Sequence, residues 1–213
     1  MGEVRACPSE TRETGWVAWH VSYGPRVPHD GELRLCGDVN GKRVIELGIS
    51  PEVNALALAR MGAKSIAVDA DAARIASGRT AATTEGSKVE FHHGDLADLG
   101  FATSASVDLV LAVASLDGVD DLARVLRQVH RVLKPEAPFV TTLAHPIASM
   151  LDGAEITLRR PYGQAPSRTI SDMFMSFHRA NFRVDVIQEL YPVGQLNAMV
   201  PAVLVMRARK LGV

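Results

Sequence analysis

Short apolar runs alternate with helix-like segments along most of this 213-residue chain. The run Val107–Ala114 is apolar at almost every position, which is typical of a central strand covered on both faces. The clearest helical segment is Asp120–Leu133, whose apolar residues recur at the spacing of one helix face. This alternation predicts an α/β fold built on a doubly wound, mostly parallel sheet.

Seven strands are predicted, and the last two have no crossover helix between them. Arg183–Leu190 and Ala202–Ala208 are joined by a loop, whereas a parallel return needs a crossover that is usually helical. We therefore expect a seven-stranded, mostly parallel sheet with an antiparallel last strand. The other predicted strands are Arg43–Leu47, Ser65–Asp69, Lys88–His93, Val107–Ala114 and Pro138–Leu143.

The length of the chain fits a single domain over residues 37–213, preceded by an N-terminal segment over residues 1–36. Trp16, Trp19 and Tyr23 lie close together in that segment. They predict either a lid over a ligand cleft or an anchor to the core, and the anchor is favoured.

A looser insertion is expected at residues 146–168, which are interrupted by Pro161, Gly163 and Pro166. Its residues Arg159, Arg160 and Tyr162 are candidates either for a substrate pocket or for a solvated loop. A helix is predicted to begin at Thr169, because Asp172 stands where a capping box places its acid.

Charge and cysteine content exclude several classes of function. The net charge of −1 and the pI near 6.7 offer no basic face for nucleic acid or for an anionic membrane. Cys7 and Cys36 form no CxxC pair, which argues against a zinc site or a disulfide framework. With no apolar signal core or membrane-length run, we expect a cytoplasmic protein, and the sequence leaves open whether it is a monomer or a homodimer.

Polar residues stand where three of the predicted strands end, at the edge where open α/β sheets bind ligands. Glu46-Leu47-Gly48 ends the first strand, Asp69 the second, and His93-Gly94-Asp95-Leu96 the third. With the later stretches SVDLVLA and RQVHRVLKP, this order of motifs resembles the class I S-adenosylmethionine-dependent methyltransferases over about residues 37–145.

The resemblance implies S-adenosyl-L-methionine as the cofactor and methyl transfer to a small molecule as the activity. It implies that Asp69 accepts hydrogen bonds from both ribose hydroxyls, since a carboxylate can accept in a fork. It further implies contacts of Glu46 with the methionine amino end, of Gly48 beneath the cofactor, of Ala70, Asp95 and Leu96 with adenine, and of Ala114 and Ser115 with the methyl-transfer site.

The loop after the first strand departs from the family's glycine-rich pattern. Ser50 and Glu52 occupy two positions where the family has glycine. Ser50 is small enough to be tolerated near a ligand and is expected among the cofactor-binding residues, whereas Glu52 is expected to bring negative charge toward the cofactor's carboxylate. Ser50-Pro51-Glu52 is also a typical helix start. The loop therefore leaves open a non-catalytic protein with this fold that serves in binding or regulation.

A nicotinamide-dependent dehydrogenase would share the first strand and the distal acid Asp69. However, the segment Gly48–Val53 lacks both later glycines of Gly-x-Gly-x-x-Gly. Because the backbone could not approach a pyrophosphate in the usual way, this alternative is disfavoured.

Three histidines are further candidates. His145 follows the fifth strand and is predicted either as a general base or as a structural turn residue. His92 and His93 are adjacent in a strand and should point to opposite faces, which disfavours joint binding of one metal ion.

Overall fold

The computed structural model describes residues 19–152, 155–194 and 198–212, and Trp16 lies outside this part of the chain. The helices are α1 (Asp30–Leu33), α2 (Asn54–Arg60), α3 (Ala72–Glu85), α4 (Leu122–Val132) and α5 (Ile170–Arg179). The strands are β1 (Arg43–Leu47), β2 (Lys64–Asp69), β3 (Val89–His93), β4 (Leu109–Val113), β5 (Pro138–Ala144), β6 (Leu151–Asp152), β7 (Glu155–Leu158), β8 (Phe182–Leu190) and β9 (Val203–Lys210).

Seven strands form one sheet in the order β3-β2-β1-β4-β5-β9-β8. Strands β1 to β5 pair in parallel, whereas β9 runs antiparallel to both β5 and β8. This arrangement confirms the predicted seven-stranded sheet with its antiparallel last strand. The insertion at 146–168 is more regular than predicted, because β6 and β7 form a separate hairpin there.

Apolar side chains project from both faces of the sheet, and helices therefore cover the sheet on both sides. On β1, Ile45 and Leu47 belong to the same buried cluster as residues of α4 and α5. Val44 points to the opposite face and packs in a cluster with α2 and the N-terminal segment. The alternation follows from the pleat of a strand, whose successive side chains point to opposite faces.

Helix ends follow local sequence at α3 and α5. Thr169 and Asp172 form the predicted capping box of α5, with each side chain bonded to the other's backbone N–H. Asp71 caps α3 by accepting from the N–H of Ala73 at 2.8 Å, and the left-handed Gly86 ends this helix. Among the described residues, no helix is both long and apolar enough to cross a bilayer.

The described part of the N-terminal segment is anchored to the domain. The buried Tyr23 hydroxyl donates to Asp30 Oδ1 at 2.5 Å, and this oxygen also accepts from the N–H groups of Leu35 and Cys36. Burial raises the pKa of both the Tyr23 hydroxyl and the Cys36 thiol, so both stay neutral. The guanidinium of Arg60, the last residue of α2, lies over the Trp19 ring, 3.4 Å from the centroid of that ring.

An ion-pair network joins the two strands at the antiparallel edge of the sheet. Asp185 on β8 accepts from Arg207 at 2.9 and 3.1 Å and from Arg209 at 2.7 Å, both on β9. Burial alone would raise the pKa of Asp185, but the hydrogen bonds from these two arginines lower it below the ordinary value. A native-state pKa below the unfolded value contributes stability wherever the unfolded carboxyl is also ionised.

Replacing Asp185→Asn should lower the free energy of unfolding at neutral pH by about 1–3 kcal/mol, since hydrogen bonds to a charged acceptor are lost. This contribution is complete above the unfolded pKa of about 3.9 and disappears as the pH falls through the lower native pKa. Urea denaturation at neutral pH and below about pH 3 measures both limits.

Glu136→Gln is the matched control, because Glu136 forms an exposed ion pair with Arg183. Glu136→Gln should change the free energy of unfolding by close to zero at either pH. A destabilisation by Asp185→Asn that persists undiminished in acid would contradict the role given to this carboxylate.

Candidate functional site

The loop between β1 and α2 differs from the helix start expected at Ser50-Pro51-Glu52. Helix α2 begins only at Asn54, and Pro51 and Glu52 form an exposed turn before it. Val53 sits in the left-handed region with φ of +49°, a conformation that costs a side-chain-bearing residue about 1–2 kcal/mol. The helical prediction was therefore wrong for these residues.

The physical reason is a carboxylate from the preceding strand that caps the helix. Glu46 is 0% exposed and accepts from the N–H of Asn54 at 3.2 Å and of Ala55 at 2.7 Å. It also accepts from the N–H of Ser50 at 3.0 Å and from its hydroxyl at 2.7 Å. Burial raises the pKa of Glu46, although these hydrogen bonds oppose the shift. Glu46 thus braces the loop from within.

Gly48 turns the chain beneath the tip of the neighbouring strand β4. Its φ is +79°, and a Cβ at this position would lie 2.2 Å from Cβ of Ser115. The Ser115 hydroxyl in turn donates to the carbonyl of Leu47. Glycine is needed here because another part of the protein approaches its backbone closely.

Asp69 at the tip of β2 ties the same loop to a third strand. Its Oδ2 accepts from the N–H of Ile49 at 2.7 Å and lies 3.4 Å from a guanidinium nitrogen of Arg74. Its Oδ1 accepts from the N–H of Asp71 at 2.8 Å. A carboxylate has about four acceptor positions, so Asp69 keeps capacity for a ligand, especially if Arg74 moves away.

A cavity of about 360 Å³ opens between this loop and the tip of β4. It contains three of the predicted cofactor residues, Ser50, Ala114 and Ser115, and among the described residues that line it Arg74 alone is charged. Glu52 is exposed and stands outside this lining, so the expected intrusion of its charge does not occur. The full lining is Ile49, Ser50, Pro51, Val53, Arg74, Ser77, Val113, Ala114 and Ser115.

A second cavity of about 510 Å³ lies at the tips of β2 and β3. The structure brings together Ala70, Asp95 and Leu96 in its wall, the three residues expected at adenine. Asp95 Oδ1 accepts from the N–H of Ala97 at 2.8 Å, and Oδ2 lies 3.4 Å from Arg124. The remaining lining residues include the acids Asp120 and Asp121.

A third cavity of about 560 Å³, between the loop after β4 and the end of the insertion, was not predicted. In its wall, Asp117 Oδ1 and Arg168 Nε are buried without a hydrogen-bond partner among the described residues. Burial raises the pKa of Asp117, against a hydrogen bond from the N–H of Ala144. The sequence signal that could have identified Asp117 as a site residue is its position just past Ser115. None of the candidates Arg159, Arg160 and Tyr162 lines this cavity.

His145 lines none of these three cavities. The ring is 0% exposed, its Nε2 lies 3.0 Å from Glu189 Oε1, and its Nδ1 accepts from the N–H of Ile147 at 3.2 Å. Because both nitrogens are engaged inside the protein, this position suits the structural alternative. We therefore leave His145 out of the proposed site.

The adjacent histidines of β3 have separate partners. His92 lies 2.6 Å from Glu90 and stacks on Phe101, whereas His93 lies 3.0 Å from the carbonyl of Ala70. Within the ranges that the structure describes, no three His, Cys, Asp or Glu side chains are grouped as a metal site would require.

Gly48→Ala should destabilise the protein more than Gly86→Ala. Both glycines have a positive φ, so each substitution costs about 1–2 kcal/mol in backbone strain. Only at Gly48 does the new methyl group also overlap Ser115, which should add about 1–3 kcal/mol, since no atom lies within 4 Å of a Cβ at Gly86. Urea denaturation measures the free energy of unfolding of both variants. Equal losses would contradict the close contact between Gly48 and Ser115 that joins the ends of β1 and β4.

Comparison with known sequences identifies a domain in the middle of the chain. Residues 45–141 match a family described as "Methyltransferase domain". A ubiquinone biosynthesis O-methyltransferase from Sodalis glossinidius is 30% identical over 131 residues, which cover 60% of this chain and 53% of that protein. A protein of the same name from Hahella chejuensis is 30% identical over 123 residues, or 56% and 52% of the two chains. The chain spans about half the length of these relatives.

Solved structures share the fold at lower sequence identity. An S-adenosylmethionine-dependent methyltransferase from Mesorhizobium loti superposes with a TM-score of 0.71 at 23% identity, covering 84% of this chain and 96% of that one. One from Aquifex aeolicus gives a TM-score of 0.67 at 16% identity, covering 85% and 89%. The cyclase SpnF gives 0.69 at 17% identity, covering 86% and 80%.

The matched residues begin within β1 and include all of β2, β3 and β4 with the loops that line the first two cavities. S-adenosyl-L-methionine is the cofactor that such a domain implies. The family match over residues 45–141 and the seven-stranded fold both agree with the resemblance to the class I S-adenosylmethionine-dependent methyltransferases that the order of the motifs indicates.

Proposed function

We propose that this protein transfers a methyl group from S-adenosyl-L-methionine to an oxygen atom of a small-molecule acceptor. One observation carries the proposal: two cavities at the carboxyl edge of the sheet are lined by six of the nine residues expected at the cofactor, whereas Glu46, Gly48 and Asp69 line neither cavity. Asp69 belongs to the strand tip that connects them, because Ile49 binds its carboxylate on one side and Ala70 follows it on the other. The cofactor would supply an activated methyl group on its sulfonium sulfur.

The residues present fit the adenosine half of this cofactor. Ribose hydroxyls and the adenine amino group are hydrogen-bond donors, and Asp69 and Asp95 offer carboxylate acceptors. Ala70 and Leu96 provide apolar surface and backbone groups in the same wall as Asp95. Gly48 and Glu46 act indirectly in this proposal, by fixing the loop that faces the amino-acid half of the cofactor.

The acceptor is assigned to the third cavity, which shares Val119 and Asp120 with the second. Asp117 lies two residues past Ser115, and its unpartnered oxygen and raised pKa suit it to accept a proton from an acceptor hydroxyl. Methyl transfer otherwise needs positioning and exclusion of water more than a dedicated catalytic group. The choice of oxygen rests on the names of the curated relatives, which are O-methyltransferases.

Isothermal calorimetry with S-adenosylhomocysteine tests the cofactor site. The wild-type protein should bind it, and Asp69→Asn and Asp95→Asn should each weaken binding by about tenfold or more, since each loses a charged hydrogen-bond acceptor. Asp98→Asn is the control, because Asp98 is exposed and its carboxylate accepts, among the described residues, only from the nearby N–H of Gly100. No binding by the wild type at millimolar ligand would refute the proposal.

Transfer of a radiolabelled methyl group to a panel of phenols, catechols and amines tests the activity. Asp117→Asn should reduce the turnover of a hydroxyl acceptor by about a hundredfold or more without changing the affinity for S-adenosylhomocysteine. The wild-type rate should rise with pH as Asp117 ionises, and the variant should lack this limb. The Asp120→Asn variant, with its substitution in the same cavity, should keep the rise of the rate with pH.

Tight binding of S-adenosylhomocysteine with no transfer to any member of the panel would favour the alternative of a binding or regulatory protein. An unchanged pH profile in the Asp117→Asn variant would show that this carboxylate is not the base.

A further inference from the structure

We propose that Arg74 binds the carboxylate at the amino-acid end of the cofactor, an inference that rests on the proposed function. Arg74 is on the first turn of α3 and is the one charged residue in the described lining of the 360 Å³ cavity. Sequence motifs did not single it out, and the contacts that follow determine this role.

The two cofactor cavities differ in charge, and this difference orients the ligand. The 510 Å³ cavity has three carboxylates, Asp95, Asp120 and Asp121, against one guanidinium. S-adenosylmethionine has donor groups on its adenosine and an anionic carboxylate at its other end. Charge complementarity therefore directs the adenosine to the acid-lined cavity and the carboxylate to the cavity that contains Arg74.

The loop itself has few N–H groups to offer a carboxylate. Helix α2 cannot receive it at its first amides, because Glu46 already accepts from them. Pro51 has no N–H, and the Val53 N–H donates to the carbonyl of Ser50. The other amides of the loop that donate within the protein are those of Gly48, Ile49 and Ser50. Among the described loop residues, this leaves the N–H of Glu52 as the amide that could donate to a ligand, so a positive side chain from outside the loop would supply most of the binding to a carboxylate.

Arg74 can change partners at low cost. It lies 3.4 Å from Asp69 and 3.6 Å from Asp71, and its side chain is 58% exposed. Exposed ion pairs contribute only about 0–1 kcal/mol, whereas a guanidinium can bind a ligand carboxylate through two parallel hydrogen bonds. Its movement to the ligand would also free an acceptor position on Asp69 for the ribose. One side chain thus serves both ends of the cofactor.

Two ligands separate this role from general effects on the cleft. S-adenosylhomocysteine has the amino-acid carboxylate, and 5′-methylthioadenosine lacks it while keeping the adenosine. Arg74→Ala should weaken the binding of S-adenosylhomocysteine by about tenfold, measured by calorimetry, and should leave the affinity for 5′-methylthioadenosine equal or slightly higher. Arg74→Lys should show an intermediate loss, because it keeps the charge without the paired donors.

Arg79→Ala is the matched control on the same helix, since Arg79 donates to the carbonyl of Phe91 and lies outside the lining of this cavity. It should change neither affinity, and thermal melting should show that every variant is folded. Equal weakening of both ligands by Arg74→Ala, or tighter binding of S-adenosylhomocysteine, would overturn the role of Arg74 alone. A wild-type protein that binds neither ligand would instead overturn the proposed function.

Discussion

The buried carboxylate of Glu46 determines the shape of the ligand-binding edge. A carboxylate removed from water is costly unless hydrogen bonds satisfy it, and Glu46 receives four from the loop and from α2. These bonds hold the loop against β1 without the flexibility of further glycines. The strained left-handed Val53 is tolerated within this frame, since the surrounding contacts fix its conformation. A loop poorer in glycine than the family pattern can therefore still leave a cavity beneath it.

Sequence patterns predicted the sheet because burial imposes strong periodicity on strands and amphipathic helices. The resemblance assigned Ala70, Asp95 and Leu96 to adenine, and the structure has all three in the wall of one cavity, since parallel strands end at a common edge. Sequence patterns failed at Ser50-Pro51-Glu52, where local capping preference competes with a long-range cap from Glu46. No local pattern shows that a carboxylate eight residues before Asn54 accepts from its backbone. The regularity of the insertion was missed for a similar reason, because its hairpin is too short for a periodic signal.

Fold alone does not determine chemistry in this group of structures. The cyclase SpnF superposes on this chain almost as well as the methyltransferases do. What distinguishes activities on a shared fold is the set of side chains at the strand tips and in the cavities beside them. For this chain, the unpartnered oxygen of Asp117 is therefore more informative about the acceptor than the order of the strands is.

The distribution of charge at the carboxyl edge also explains why a substituted loop is compatible with cofactor binding. Negative side chains are concentrated around the 510 Å³ cavity, and a guanidinium stands beside the other. Because Glu46 occupies the first amides of α2, the proposed binding mode assigns recognition of the anion to a side chain on the next helix rather than to the helix terminus. An arginine supplies a full charge and paired donors, whereas a helix terminus supplies only about half a charge. In the proposed binding mode, the substitution of Ser50 and Glu52 for glycine would thus move the anion-binding function to Arg74, while Asp69 and Asp95 would keep their contacts with the adenosine.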